Sequence, residues 1–208
     1  MKSIKARNSR NSNKKIRGLA LLEILIAIGI LGIISAGVAT LASRTFEEQN
    51  VNAISKGVVD VGLSIKKGYQ RASGYPDAKS MSVFVNSSLV SEESATNPIT
   101  NNLYEYIGGL NKNAASGVND AFAIVVDGLE PSVCVKLLGG VLPENAAYIE
   151  VVDSGTGMTG LTFDVVPGGP VFKTMQGYTT GAVVDAEDPT TYVNACNNAI
   201  NAIIYGYY

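Results

Sequence analysis

Residues 24–43 form an apolar run without a charged side chain, near the beginning of a 208-residue chain. As an α-helix this run would rise about 30 Å, which is the thickness of the hydrocarbon core of a bilayer. No small-residue cleavage site follows the run, as one would in an ordinary secretory signal. We therefore expect residues 24–43 to remain in the mature protein as a membrane-spanning helix.

The helical pattern continues beyond the apolar run. From Phe46 to Ala72, apolar residues recur mostly along one face of an amphipathic helix. Pro76 then limits the helix, because proline disfavours helical backbone in the residue before it. The pattern predicts one helix from about residue 19 to about residue 73, roughly 80 Å long. We expect its face between Val51 and Tyr69 to pack under the rest of the fold.

Residues 74–208, which we call the head, alternate short apolar runs with segments rich in glycine, serine and asparagine. We predict that the first part, residues 74–118, is mainly a long packed loop. β-Branched and aromatic residues predict strands at residues 121–127, 147–153, 161–166 and 200–208. Helix-capping residues and apolar spacing predict short helices at residues 81–89, 91–95, 131–138 and 188–197. No linker divides the head, so we expect one α+β unit.

Composition argues against an enzyme. The chain contains no histidine, which removes the commonest general base near neutral pH and the commonest metal ligand. The glycine pairs lack the lysine and hydroxyl residue of a phosphate-binding loop, and no G-x-S-x-G motif occurs. The acidic residues of the head do not have the spacing of an EF-hand, so a solvated acidic surface is the simpler interpretation. We expect no catalytic site, no metal and no cofactor.

Charge is distributed unevenly along the chain. Residues 1–18 hold seven of the 16 basic residues and none of the 18 acidic ones. This basic leader orients the N-terminus towards the cytoplasm and the rest of the chain outwards. The head contains fourteen acidic and four basic residues, which argues against nucleic-acid binding and against a DNA-binding competence subunit.

The two cysteines, Cys134 and Cys196, lie 62 residues apart. An isolated pair of this kind lacks the spacing of a metal site. In an exported protein a disulfide is the default interpretation, and closing a loop of this length contributes about 4 kcal/mol in the chain-entropy model. Two unrelated buried thiols remain the alternative.

The segment KKIRG–LALLEILIAIGILGIISAGVATLASRTFEEQ resembles the prepilin signal of type IV pilins. The resemblance rests on the basic leader, Gly18, the apolar Leu19, and Glu23 within an otherwise uncharged span. Leu19 in place of phenylalanine, the 18-residue leader and a span without proline favour the type b subclass, the group of the toxin-coregulated and longus-type major pilins. Weaker similarity continues through SEESATNPI and AFAIVVDGLEPSVCVKL to the late Cys196.

The resemblance implies a processing event and a fold. A prepilin peptidase would cut between Gly18 and Leu19 and N-methylate Leu19. The α+β fold would be an αβ-roll, with the long helix packed on an antiparallel sheet beside a disulfide-closed C-terminal region. The chain would then comprise a cleaved leader (1–18), a transmembrane and filament-core half-helix (19–43), an amphipathic half-helix (44–73) and the globular head (74–208).

The presence of the Glu23 carboxylate in an apolar helix requires an explanation, because a charge at the centre of a membrane helix costs about 2.5–3.5 kcal/mol on insertion scales. Cleavage would create a cationic amine at Leu19, one helical turn away. Our hypothesis is that Glu23 pairs with the Leu19 amine of a neighbouring subunit, which would fix the axial register. The alternative is a Glu23 side chain that reaches the interface or stays protonated.

The expected function is structural. We expect the chain to be the major subunit of a type IVb pilus, inserted first in the bacterial inner membrane and then assembled outside the cell for adhesion, aggregation and colonisation. Its expected partners are copies of itself, the prepilin peptidase, the inner-membrane assembly machinery, and host surfaces or other bacteria. A minor pilin, a type II secretion pseudopilin and a membrane-anchored binding domain are the alternatives.

Overall fold

A computed structural model of the chain describes residues 14–77, 80–111, 119–140, 143, 145–154, 170–173, 183–184 and 188–208, with side chains from residue 20 onwards. The chain separates into two compact units, Met1–Phe46 and Glu47–Tyr208. In the described part of the first unit the backbone is helical throughout. The second unit combines helices with a sheet.

The first element is the helix α1 (Lys14–Gly68). It begins before residue 19, where we predicted its start, because lysine and arginine are good helix formers and nothing in the KKIR segment stops a helix. It ends at Gly68 and not near residue 73, where the stop was inferred from Pro76. Glycine disfavours helix by about 1 kcal/mol relative to alanine. Residues 69–73 continue as turns and bends.

Among the described residues, the second unit forms a five-stranded sheet in which each pairing of strands is antiparallel. The strands are β1 (Glu105–Leu110), β2 (Ala121–Leu129), β3 (Tyr148–Asp153), β4 (Val171–Lys173) and β5 (Asn201–Tyr207). Their order across the sheet is β1-β2-β5-β3-β4. The long helix and the antiparallel sheet confirm the predicted α+β fold class.

Three of the predicted strands are confirmed, as β2, β3 and β5, and two strands were not predicted. We assigned the β1 segment to a loop because glycine is depleted in strands. Gly108 and Gly109 are accommodated where the register between β1 and β2 shifts, and Gly109 has a φ of +72°. β4 is too short to show a periodic pattern. The strand predicted at residues 161–166 lies outside the described residues.

The four short helices that we predicted are present as α2 (Ser82–Asn86), α3 (Glu92–Ala95), α4 (Pro131–Gly139) and α5 (Pro189–Ala195). Ser91 caps α3, because its hydroxyl oxygen accepts a hydrogen bond from the Ser94 N–H over 3.2 Å. Asp188 caps α5 by accepting from the Thr190 N–H over 2.9 Å, and this contact lowers the pKa of the Asp188 carboxyl group.

One face of α1 is buried against the sheet, as the apolar spacing predicted. The side chains that are fully buried on this face are Ile54, Val58, Val61 and Ile65. They share a core with aromatic residues of the sheet, among them Phe122 and Tyr207. The Tyr207 hydroxyl also donates to the Val58 carbonyl oxygen over 3.3 Å, so the last strand is joined to the helix by a hydrogen bond as well as by packing.

Cys134 and Cys196 form a disulfide with a Cα–Cα distance of 5.8 Å, as predicted. The bond joins α4 to the residue that ends α5. A second link runs from α4 to α1, where the Lys136 ammonium lies 2.6 Å from the Glu47 carboxylate. Both side chains of this ion pair are about a third exposed, so solvent screening limits its contribution to at most about 1 kcal/mol.

Candidate functional site

The candidate functional site is the part of α1 that lies in the first unit. Its large apolar side chains are more than half exposed, from 53% at Ile30 to 77% at Ile33. By length and composition, α1 is the one described helix that is apolar enough to cross a membrane. A continuous apolar surface of this kind is not stable in water and marks a lipid or protein contact.

Three hydroxyl side chains in the second half of this segment form hydrogen bonds within the helix itself. Thr40 donates to the Gly37 carbonyl oxygen over 2.8 Å, Ser43 donates to the Thr40 carbonyl oxygen over 3.1 Å, and Thr45 donates to the Leu41 carbonyl oxygen over 3.0 Å. Such bonds back to the preceding turn give each of these three hydroxyls a partner in an apolar medium. These three residues are therefore compatible with lipid and with a protein interior alike.

Gly29, Gly32 and Gly37 have open space beside them. A methyl group built at any of the three would meet no atom within 4 Å outside its own stretch of helix. Packing within one subunit therefore does not require glycine at these positions. The explanations that do not depend on packing within a subunit are close approach of helices from different copies, local unwinding, and the general abundance of glycine in membrane helices.

Glu23 lies in α1 and is exposed, among the apolar side chains of the first unit. It is the single charged residue between Leu19 and Arg44. Among the described residues, the ion pair is formed by Lys136 and Glu47, so Glu23 has no cationic partner there. The structure thus places Glu23 where the sequence predicted, within an apolar helical surface and one turn from Leu19.

The predicted cleavage junction between Gly18 and Leu19 lies inside α1 and not before it. A peptide bond in a continuous helix is not extended, as a protease requires, so the helix must open locally before it can be cut. Glycine at position 18 lowers the cost of that opening, because it is about 1 kcal/mol less favourable in a helix than alanine.

The described part of the second unit holds neither a metal-binding group of side chains nor a free thiol. It contains no group of three or more His, Cys, Asp or Glu side chains placed to hold a metal ion. Both cysteines are in the disulfide, so neither is available as a nucleophile.

Sequence reasoning missed two features of the second unit. The first is the Lys136–Glu47 ion pair, whose partners are 89 residues apart in the chain. The second is the role of Gly57 and Gly62 on the buried face of α1, where Ser94 and Tyr207 approach the helix backbone. Gly57 precedes Val58 and Gly62 follows Val61, and both valines belong to the predicted apolar face. This placement could have shown that the two glycines lie in the buried interface.

Comparison with known proteins gives one motif and two relatives. The prokaryotic N-terminal methylation motif matches residues 13–39. The toxin coregulated pilin of Vibrio cholerae serotype O1 El Tor Inaba is 30% identical over 172 residues, which cover 76% of this chain and 75% of that protein. Another toxin coregulated pilin of Vibrio cholerae is 35% identical over 131 residues, covering 60% of this chain and 57% of the relative.

A solved structure shares the fold. The crystal structure of TcpA, a type IV pilin from the El Tor biotype of Vibrio cholerae, matches with a TM-score of 0.60 at 21% sequence identity. The match covers 77% of this chain and 99% of TcpA. At this level of identity the likeness concerns the arrangement of the long helix and the antiparallel sheet.

Proposed function

The chain belongs to the type IVb pilins, and from that premise we propose that it is the major subunit of a surface pilus used for adhesion, bacterial aggregation and colonisation. The observation that carries the proposal is the exposed, uncharged surface of α1 around Glu23. An inner membrane covers this surface in the precursor, and the helices of other copies cover it in the filament. Filament formation thus replaces one apolar environment by another.

Processing precedes assembly in this proposal. The prepilin peptidase removes the leader, residues 1–18, by cutting between Gly18 and Leu19, and it N-methylates Leu19. The mature chain then has a filament-core half-helix (19–43), an amphipathic half-helix (44–73) and the head (74–208). The match of the methylation motif to residues 13–39 supports both the cut and the modification.

Glu23 sets the register between subunits. In the apolar interior of the filament, its carboxylate pairs with the new amine at Leu19 of an adjoining copy. An ion pair in a low-dielectric medium is strongly attractive, and an unpaired charge there is costly, so mismatched axial positions are disfavoured. The inner-membrane assembly machinery supplies the energy that moves each subunit from the membrane into the filament.

Mass spectrometry of sheared surface filaments tests the processing step and the subunit's status. We expect an N-terminus at methylated Leu19 and a chain that makes up most of the filament mass. A mature N-terminus elsewhere would rule out the pairing with Glu23 as described. A chain found only in trace amounts would indicate a minor pilin, and its absence from surface filaments would indicate a secretion pseudopilin.

Substitution of Glu23 tests the pairing itself. In Glu23→Gln, processing at Leu19 should proceed normally while filament yield falls more than about tenfold, because leaving a buried charge unpaired costs about 3–5 kcal/mol per subunit. Glu48→Gln is the matched control, since Glu48 is an exposed carboxylate on the same helix. Wild-type filament yield from Glu23→Gln would refute the pairing.

A further inference from the structure

A pocket of about 190 Å³ opens where α1 gives way to turns. Its walls include the side chains of Tyr69, Gln70, Ser73, Tyr75 and Asp120. The pocket lies in the second unit, about 30 Å along α1 from Glu47, at 1.5 Å of helix rise per residue. Neither the processing junction nor Glu23 belongs to it.

The aromatic walls of the pocket are held in place by the core behind them. The rings of Tyr69 and Tyr75 lie 6.1 Å apart with planes inclined by 53°. Tyr75 packs against Phe122 at 4.6 Å, and Tyr69 meets Phe84 edge-on at 6.1 Å. Because each ring is supported from inside, the two half-buried aromatic surfaces are formed before any ligand arrives.

The polar groups of the pocket can both donate and accept hydrogen bonds. Gln70 and Ser73 are exposed and offer an amide and a hydroxyl group, which donate and accept hydrogen bonds, while Asp120 adds a negative charge to the wall. Burial is the main cause of the raised pKa of Tyr75, and the negative charge of Asp120 adds to it. Asp120 therefore lies close to one of the two aromatic walls.

We propose that this pocket binds a single neutral sugar ring at the end of a surface glycan. One face of a pyranose ring carries C–H groups that pack on an aromatic ring, and its edge carries hydroxyls that both donate and accept hydrogen bonds. The pocket supplies both kinds of surface. A volume below that of ordinary drug-sized sites, about 300–1,000 Å³, suits one ring and not an oligosaccharide.

Charged groups of both signs lie near the pocket, and together they favour a neutral ligand over an anion or a cation. Asp120 and the acidic surface of the head oppose an anionic sugar such as a sialic acid. The exposed Lys67 and Arg71 flank the same end of α1 and oppose a simple organic cation. The site rests on the proposed function in one respect, because a pilus repeats the pocket along its length outside the cell, where glycans are found.

Repetition compensates for weak single contacts. We expect a dissociation constant on the order of 1 mM for one sugar, since a ligand of about a dozen heavy atoms in a shallow pocket gains little more affinity. Many pockets on one filament that meet many glycan ends raise the overall avidity by about 10²–10⁴.

Saturation-transfer NMR on the mature full-length chain tests the proposal without requiring filaments. The chain is kept in an uncharged polyoxyethylene detergent, because detergents with sugar or choline head groups would compete. The neutral probes are the methyl glycosides of galactose, mannose and N-acetylglucosamine, with tetramethylammonium and N-acetylneuraminic acid as charged probes. We expect saturation of the C–H protons of at least one neutral sugar and of neither charged probe.

Substitutions on the exposed rim locate the binding. Gln70→Ala and Ser73→Ala should each raise the dissociation constant about threefold, and the double variant about tenfold, as expected for lost hydrogen bonds. Gln49→Ala, another exposed glutamine of α1 outside the pocket, is the matched control and should change nothing.

Three results would each overturn the proposal. The first is no saturation of any neutral sugar up to about 20 mM, well above the expected constant. The second is binding that the double variant leaves unchanged, and the third is binding of a charged probe in place of the neutral ones. Each of these results leaves the pilus proposal standing if filaments still form. An array of host and bacterial glycans probed with the same chain then separates the two sources of a terminal neutral sugar.

Discussion

Three buried tyrosine side chains differ in what their hydroxyl groups contact. The Tyr106 hydroxyl donates to the Pro76 carbonyl oxygen over 3.1 Å, and the Tyr207 hydroxyl donates to the Val58 carbonyl oxygen. The Tyr104 hydroxyl is buried and has no hydrogen-bond partner within the described part of the chain. An unsatisfied buried hydroxyl carries a desolvation penalty of about 1–3 kcal/mol. Tyr104 therefore lowers the stability of the head, although its ring fills the core.

Removing that hydroxyl should stabilise the protein. We expect Tyr104→Phe to raise the free energy of unfolding by about 1 kcal/mol, because the ring is kept and the unpaired group is lost. The matched variant Tyr106→Phe should lower it by a similar amount, since it removes a made hydrogen bond. Urea unfolding followed by tyrosine fluorescence measures both. Equal destabilisation by the two variants would show that the Tyr104 hydroxyl has a partner.

At the scale of elements, prediction from sequence succeeded where a pattern is local. The membrane-spanning segment was predicted from a run without charges, residues 24–43. The apolar face of α1 was predicted from helical spacing, and β2, β3 and β5 were predicted from runs of β-branched and aromatic residues. At the candidate site, the sequence places Gly18, Leu19 and Glu23 close together in α1, while their roles in processing and pairing stay predictions. β1 was missed because Gly108 and Gly109 disfavour a strand. The segment becomes a strand through its pairing with β2, which the local sequence does not show. The Lys136–Glu47 ion pair depends on tertiary packing, which no local pattern records.

Two glycines determine how closely α1 approaches the rest of the second unit. A methyl group on Gly57 would lie 2.6 Å from the Ser94 carbonyl oxygen. One on Gly62 would lie 2.7 Å from the Tyr207 ring. The Tyr207 ring cannot move aside easily, because it is fully buried and stacks on Phe122 at 5.2 Å. The absence of a side chain at these positions is thus a packing requirement.

Gly62→Ala should destabilise the head despite the better helix propensity of alanine. Overpacking in a core costs about 1–3 kcal/mol, and the gain in helix propensity offsets up to about 1 kcal/mol. We expect a net loss of about 1 kcal/mol or more in urea unfolding. Gly37→Ala is the control, because the same change on the same helix meets open space. A Gly62→Ala protein as stable as the control would mean that the backbone shifts freely.

At the scale of the whole molecule, tyrosine dominates the response to alkali. All ten tyrosines follow the end of α1 at Gly68, and the chain has no tryptophan. Burial raises the pKa of five of them far above 10, with a hydrogen bond and the charge of Glu150 adding to the effect at Tyr148. These five are Tyr104, Tyr106, Tyr148, Tyr205 and Tyr207. The folded state therefore keeps protons that the unfolded chain releases.

The contribution of these five tyrosines to stability should be constant below about pH 10 and fall steeply above it. Each buried tyrosine favours the folded state less as pH rises, by about 1.4 kcal/mol per pH unit, so five together approach about 7 kcal/mol per unit. We expect the head to unfold within about two pH units above 10, given an ordinary stability of about 5–15 kcal/mol. Absorbance of tyrosinate against pH, with circular dichroism, measures this. Ionisation of all ten tyrosines with an unchanged circular dichroism spectrum would contradict it.

The position of β5 has a consequence for how the subunit is made. Among the described strands β5 comes last along the chain, yet it lies in the middle of the sheet, between β2 and β3. Until residues 201–207 have been synthesised, β1 with β2 and β3 with β4 are two separate ribbons, and the edges that β5 will join are unpaired. A chain truncated before β5 therefore cannot close this sheet, and its exposed strand edges would make it prone to aggregation and proteolysis. The sheet is thus completed only when the last strand has been made.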